Sequence, residues 1–70
     1  MFALNQDIEV RFDISTGTVW RRGTIIDVQI NSDDEVTYVV AVRWHHHGHI
    51  IDGHFVFTVE DIANGMFRRI

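Results

Sequence analysis

Cysteine is absent from the 70 residues, and so is lysine. Without cysteine there can be no disulfide, no thiolate metal site and no cysteine nucleophile. A chain this short buries only about 60% of the surface its unfolded form exposes, so its core needs reinforcement. Small chains find it in disulfides, a metal or oligomerisation. Two of these routes stay open: histidine-bound metal and self-association. Long apolar runs are missing as well, and none approaches the ~20 residues of a membrane helix. The first residues, Met1 to Asp7, have neither a basic segment nor a long apolar stretch, so no signal peptide is expected. Basic charge is scarce: six arginines face ten acids, for a net charge of −4 and a pI near 5.6. Wholesale phosphate neutralisation needs a basic domain, which disfavours duplex DNA as a partner. Five histidines could reverse the sign of the charge below neutral pH. With 46% hydrophobic and 23% charged residues the composition is that of a folded domain. The expectation is one soluble, cytoplasmic domain over residues 1–70, without membrane contact.

The periodicity is that of strands. Ile8, Val10, Phe12 and Ile14 alternate with Asp7, Glu9, Arg11 and Asp13, as in a half-buried strand. Ser15-Thr16-Gly17 reads as a turn. A second extended stretch runs from Thr18 to Ile30, with a bulge or bend expected at Gly23 and with Ile26, Val28 and Ile30 on one face. Asn31 to Glu35 is a polar hairpin turn. Val36 to Trp44 forms a third strand, with Val36, Tyr38, Val40, Val42 and Trp44 on one face. Val39 and Ala41 make its other face apolar too, which suggests burial on both sides or contact with a second subunit and favours self-association as the reinforcement. His45 to Gly53 reads as a connection. Phe55, Phe57 and Val59 form the inward set of a fourth strand, Val59 to Ala63 suits a single 3₁₀ turn, Asn64-Gly65 turns the chain, and Met66 to Ile70 is a short fifth strand.

This order of segments resembles an SH3-like or Tudor-like small barrel. The likeness is carried by Ile8-x-Val10-x-Phe12, Gly23-Thr24-Ile25-Ile26-Asp27-Val28, Tyr38-Val39-Val40-Ala41-Val42-Arg43-Trp44, and Phe55-Val56-Phe57-Thr58-Val59-Glu60-Asp61-Ile62. It covers nearly the whole chain as a matter of layout. It implies an all-β, five-stranded barrel with a one-turn 3₁₀ helix before the last strand. That fold hosts peptide binders, nucleic-acid binders and an enzyme, so function does not follow from it. The enzyme, the small plasmid-type dihydrofolate reductase, carries a Val-Gln-Ile-Tyr segment on its reactive strand. The best match here, Val56-Phe57-Thr58-Val59, lacks both the glutamine and the tyrosine, so no catalytic residue is carried over.

Two constellations could carry chemistry. The first is His45-His46-His47-Gly48-His49, followed by Asp52 and His54. On a strand, His45 and His47 would share a face, and Asp52 or His54 could complete a metal site if Gly48 bent the chain. Along a straight strand His45, His47 and His49 would span about 13 Å, too far to converge. A solvated polar loop is therefore the favoured reading, and no metal or cofactor is expected.

The second is the pairing of arginine with aromatic rings. Every arginine lies within two positions of one: Arg11 beside Phe12, Trp20 before Arg21-Arg22, Arg43 before Trp44, Phe67 before Arg68-Arg69. Trp20 with Arg22 and Phe67 with Arg69 share parity and could build one stacked surface for an anionic or planar group. Trp44, Phe12 and Phe55 or Phe57 read as core, and Trp20 as the exposed binding residue. Serines occur only at Ser15 and Ser32, both in turns, and no glycine-rich phosphate loop is present. The expected function is non-catalytic: a homo-oligomeric module that regulates or inhibits a partner protein through Trp20, Arg21, Arg22, Arg43, His45, His47 and His49. The alternatives are an oligomeric binder of a small anionic or nucleotide-like ligand, and single-stranded nucleic-acid binding.

Overall fold

The computed structural model describes residues 2–70; Met1 lies outside them. Strands β1 (Asp7–Ile14), β2 (Gly17–Ile30), β3 (Val36–His46) and β4 (His49–Thr58) are followed by helix α1 (Val59–Ala63) and strand β5 (Phe67–Arg69). All pairings are antiparallel, and the five strands form a single sheet in the order β4-β3-β2-β1-β5. The all-β expectation holds. Strands β4 and β5 end the sheet and do not pair with each other, so the sheet is not closed and the expected barrel is not confirmed.

Alternation places one face of each strand inward. Ile8 and Val10 of β1, Ile25 of β2, Tyr38, Val40 and Val42 of β3, Phe57 of β4 and Phe67 of β5 make the buried core. Phe2 packs edge-on against Tyr38 and Phe67, with ring centroids 6.0 and 4.7 Å away. The outer face carries Asp7, Glu9, Arg11, Trp20, Arg22, Arg43, Asp52 and His54, read from the cross-strand registers.

Several local expectations are corrected. The irregularity of β2 lies between Ile25 and Asp27, where the register against β3 shifts, and not at Gly23. That extra residue exchanges the faces: Ile25 is 0% exposed and Ile26 40% exposed, so Ile26 does not share the inward face of Val28. The segment from His45 to Gly53 is strand for most of its length. It folds into a hairpin whose two-residue turn, His47-Gly48, has φ of 49° and 78°. Positive φ at both central residues is the type I′ signature that matches strand twist. Finally, α1 is α-helical and not 3₁₀, since Asn64 N–H donates to the Glu60 carbonyl four residues back. A capping box starts it: the Thr58 hydroxyl accepts from Asp61 N–H, and the Asp61 carboxylate accepts from Thr58 N–H. Because the chain leaves the strand at Thr58, Val59 is exposed rather than inward.

One feature of the pairing sets up the site. The β2–β3 ladder ends at Gly23 opposite Val42. Beyond that point, residues 17–22 pair only with β1, and residues 43–46 pair only with β4. The sheet thus divides into two hairpin arms. Gly23 stands at the branch, where a Cβ would come within 2.8 Å of Val40 Cγ1 and 3.1 Å of Val42 Cγ2. Only a residue without a side chain lets the arms join this closely.

Candidate binding site

The inner face of the fork is filled by three half-buried rings, Phe12 from one arm and Trp44 and Phe55 from the other. Phe12 and Phe55 meet edge-to-face at 5.3 Å, and Trp44 lies 6.0 Å from Phe12 and 6.4 Å from Phe55. Gly53 makes room for them, since a Cβ there would lie 2.8 Å from the Phe55 ring and 3.4 Å from Trp44. Over the rings lies the Arg21 guanidinium, 5.4 Å from the Trp44 centroid and 5.9 Å from that of Phe12. Its place follows from register: Arg21 faces Val10 across the β1–β2 ladder and therefore shares the inward face. A guanidinium stacked on aromatic rings keeps its in-plane N–H donors free for an acceptor.

The other arginines are engaged differently. Arg22 pairs with Asp7 at 3.1 Å, Arg43 with Asp52 at 2.7 Å, Arg68 with Glu9 at 3.3 Å, and Arg11 with Asp13 at 3.6 Å. Arg69 lies 5.2 Å from the Phe2 ring. Arg21 has no carboxylate within ion-pair distance among the described residues. The five acids within strands, Asp7, Glu9, Asp13, Asp27 and Asp52, all stand on the outer face by register. Although the chain carries a net charge of −4, the inner face of the fork presents Arg21, with His46 and His49 on the same parity near its tip.

On the outer face the ion pairs hold charges in place. The Thr24 hydroxyl, at 2.9 Å, and the Arg22 guanidinium both donate to Asp7, and together they lower its pKa below the ordinary carboxylate value. Arg43 is raised by its hydrogen bond to Asp52 and by that charge. Pockets of about 430 and 530 Å³ lie between the Asp34–Val36 turn and α1, and beside Arg43, Asp52 and His54. Neither is lined by Arg21, Phe12 or Phe55.

The sequence-based candidates separate accordingly. Trp20, Arg21 and Arg22 do not form one surface, because Arg21 faces inward while Trp20 and Arg22 face outward. Trp20 is half-buried, and the cation over its ring is Arg68, at 3.8 Å, not Arg22. Phe67 shares a face with Arg69 but is buried, and the ring under Arg69 is that of Phe2, at 5.2 Å. Arg43 is tied to Asp52, while His45 lies on the outer face opposite Ile50, away from Arg21. His47 sits in the turn, its ring 4.2 Å from that of His46. The conditional metal set of His45, His47, Asp52 and His54 is spread along two strands and a turn. Among the described residues no three histidine, aspartate or glutamate side chains are grouped to hold a metal ion. From the sequence, Phe12 and one of Phe55 or Phe57 read as core, and Gly53 only as the end of a connection. A glycine inside a strand, two residues from an aromatic, is the signal that marks a close approach there.

Comparison with protein-family models, with curated proteins and with solved structures finds no match. No helix among the described residues is long and apolar enough to cross a membrane.

Proposed function

We propose that this protein is a non-catalytic binding module that regulates a partner protein by holding an acidic, extended segment of it in the fork between the two hairpin arms. The observation that carries the reading is Arg21, stacked on Trp44 and Phe12 with no carboxylate partner among the described residues. Rings supply contact area at low entropic cost, and the guanidinium fork supplies a bidentate site for a carboxylate. Strand acids confined to the opposite face leave this one complementary to negative charge. The strand order, with β1 between β2 and β5 and a one-turn helix before β5, supports an SH3-like layout, a scaffold suited to extended peptides. An arginine over aromatic rings also suits a nucleotide, which is the second reading.

The test is titration of 15N-labelled protein with a Glu/Tyr decapeptide, a Lys/Tyr decapeptide and ATP. The acidic peptide should shift the Trp44 indole resonance, and Arg21→Ala should weaken binding at least tenfold, about 1.4 kcal/mol. Arg22→Ala, on the other face, should leave it unchanged. Equal binding of the basic peptide, or no effect of Arg21→Ala, would overturn the reading. Shifts with ATP alone would transfer the site to a small anionic ligand.

A further inference from the structure

The two edges of the sheet are treated unequally. Strand β5 is three residues long and carries Arg68 and Arg69, a short and charged edge of the kind that discourages pairing. Strand β4 is ten residues long and pairs with β3 through ten consecutive positions without a bulge. It has no lysine or proline, and Asp52 is its one acid. Its outer-face residues Ile50 and Val56 are 59% and 62% exposed. Such an edge is a template for another strand.

The ladder determines which backbone groups are free. The type I′ turn at His47-Gly48 closes with the His46 carbonyl accepting from His49 N–H, so His46 and His49 form a hydrogen-bonded pair. Alternation then directs the N–H and C=O groups of 49, 51, 53, 55 and 57 toward β3. Those of Ile50, Asp52, His54 and Val56 point away from it, to the open side.

We infer that β4 pairs antiparallel with β4 of a second copy of this chain, about a two-fold axis at Gly53, to make one continuous ten-stranded sheet. The residues around Gly53 read Ile50-Ile51-Asp52-Gly53-His54-Phe55-Val56, apolar, apolar, charged, glycine, ionisable, apolar, apolar. With Gly53 opposite Gly53 of the second copy, Asp52 faces the other His54, and His54 the other Asp52. Ile50 faces Val56 in the same way, so both exposed apolar residues are covered twice over. These are the hydrogen-bonded pairs, formed by the residues whose backbone groups are free. Neighbouring registers are worse: centring on Asp52 sets two carboxylates opposite each other, and centring on His54 sets Asp52 against Val56. On the inner face Ile51 meets Phe55 of the second copy, which joins the two ring-lined forks into one surface. The pairing stands on β4 alone and does not depend on what the fork binds.

Sedimentation velocity and spin-label distances test it. The wild-type chain should sediment at twice its 8.2 kDa mass. Val56→Pro removes an N–H that faces away from β3, so it should leave the monomer folded by circular dichroism while weakening dimerisation at least tenfold. His54→Asp, which sets two acids opposite each other, should do likewise. A spin label on Val56→Cys should report a separation between its two attachment points of about 20 Å, six residues along the strand; the Asp52-centred register would give about 27 Å and the His54-centred one about 14 Å. A wild-type chain that stays monomeric at about 100 μM, or a dimer unaffected by both substitutions, would overturn the inference. A distance other than about 20 Å would overturn its register.

Discussion

At the scale of single residues, the decisive positions are those where a side chain is absent or a charge is held. Gly23 lies where the arms separate, and any Cβ there meets Val40 and Val42 side chains and the Ala41 carbonyl. Gly23→Ala should therefore cost about 1–3 kcal/mol, typical of an overpacked site, although alanine suits a strand better than glycine. Urea denaturation measures it, and an unchanged midpoint would mean that the branch is looser than its contacts show. Asp7 makes a pH prediction. Its carboxyl is lowered in the folded state by Thr24 first and by Arg22 second. A depressed acid contributes stability above its unfolded pKa and loses it as pH falls through the lower folded value. Wild-type stability should thus decline below about pH 4, and Asp7→Asn should show a shallower decline over that range. Equal slopes from pH 5 to pH 2 would remove Asp7 from the acid response.

At the scale of elements, the alternating strands were legible because one buried face imposes a period of two. Ile8, Val10, Tyr38, Val40 and Val42 are buried as their parity requires. The reading failed where a single residue changes the count. The bulge after Ile25 moves Ile26 outward, and the capping box at Thr58 turns Val59 away from the core. The β3–β4 hairpin was hidden because its turn is built on histidine, not on the asparagine that usually signals type I′. His47 holds φ of 49°, which asparagine tolerates better. His47→Asn should raise stability by a few tenths of a kcal/mol, seen as a higher thermal midpoint. A lower midpoint would show that the ring contact with His46 matters more than backbone strain.

At the scale of the whole molecule, the five-stranded sheet is not closed, and the consequences run through both proposals. Opening leaves β4 as a long unpaired edge, and the division of the sheet beyond Gly23 creates the fork. The molecule is accordingly elongated, 41 by 21 by 20 Å. If the β4 edge is covered by a second copy, folding and association are linked. The thermal midpoint of the wild-type chain should then rise with protein concentration, and that of Val56→Pro should be lower at any given concentration. A concentration-independent wild-type midpoint would count against the pairing.

The sequence by itself determined the strand count and the inward residues Ile8 and Val10 of β1 and Tyr38, Val40 and Val42 of β3, because these follow from alternation along a local stretch of chain. It also showed that arginines lie near rings. Which ring each arginine meets was decided by tertiary structure alone. Arg21 rests on Trp44, 23 positions away, and Arg68 on Trp20, because cross-strand register and the branch at Gly23 bring them together. The lack of cysteine removed covalent reinforcement from a small core. The open β4 edge, which no local pattern reveals, is where the fold leaves room for a second copy to supply it.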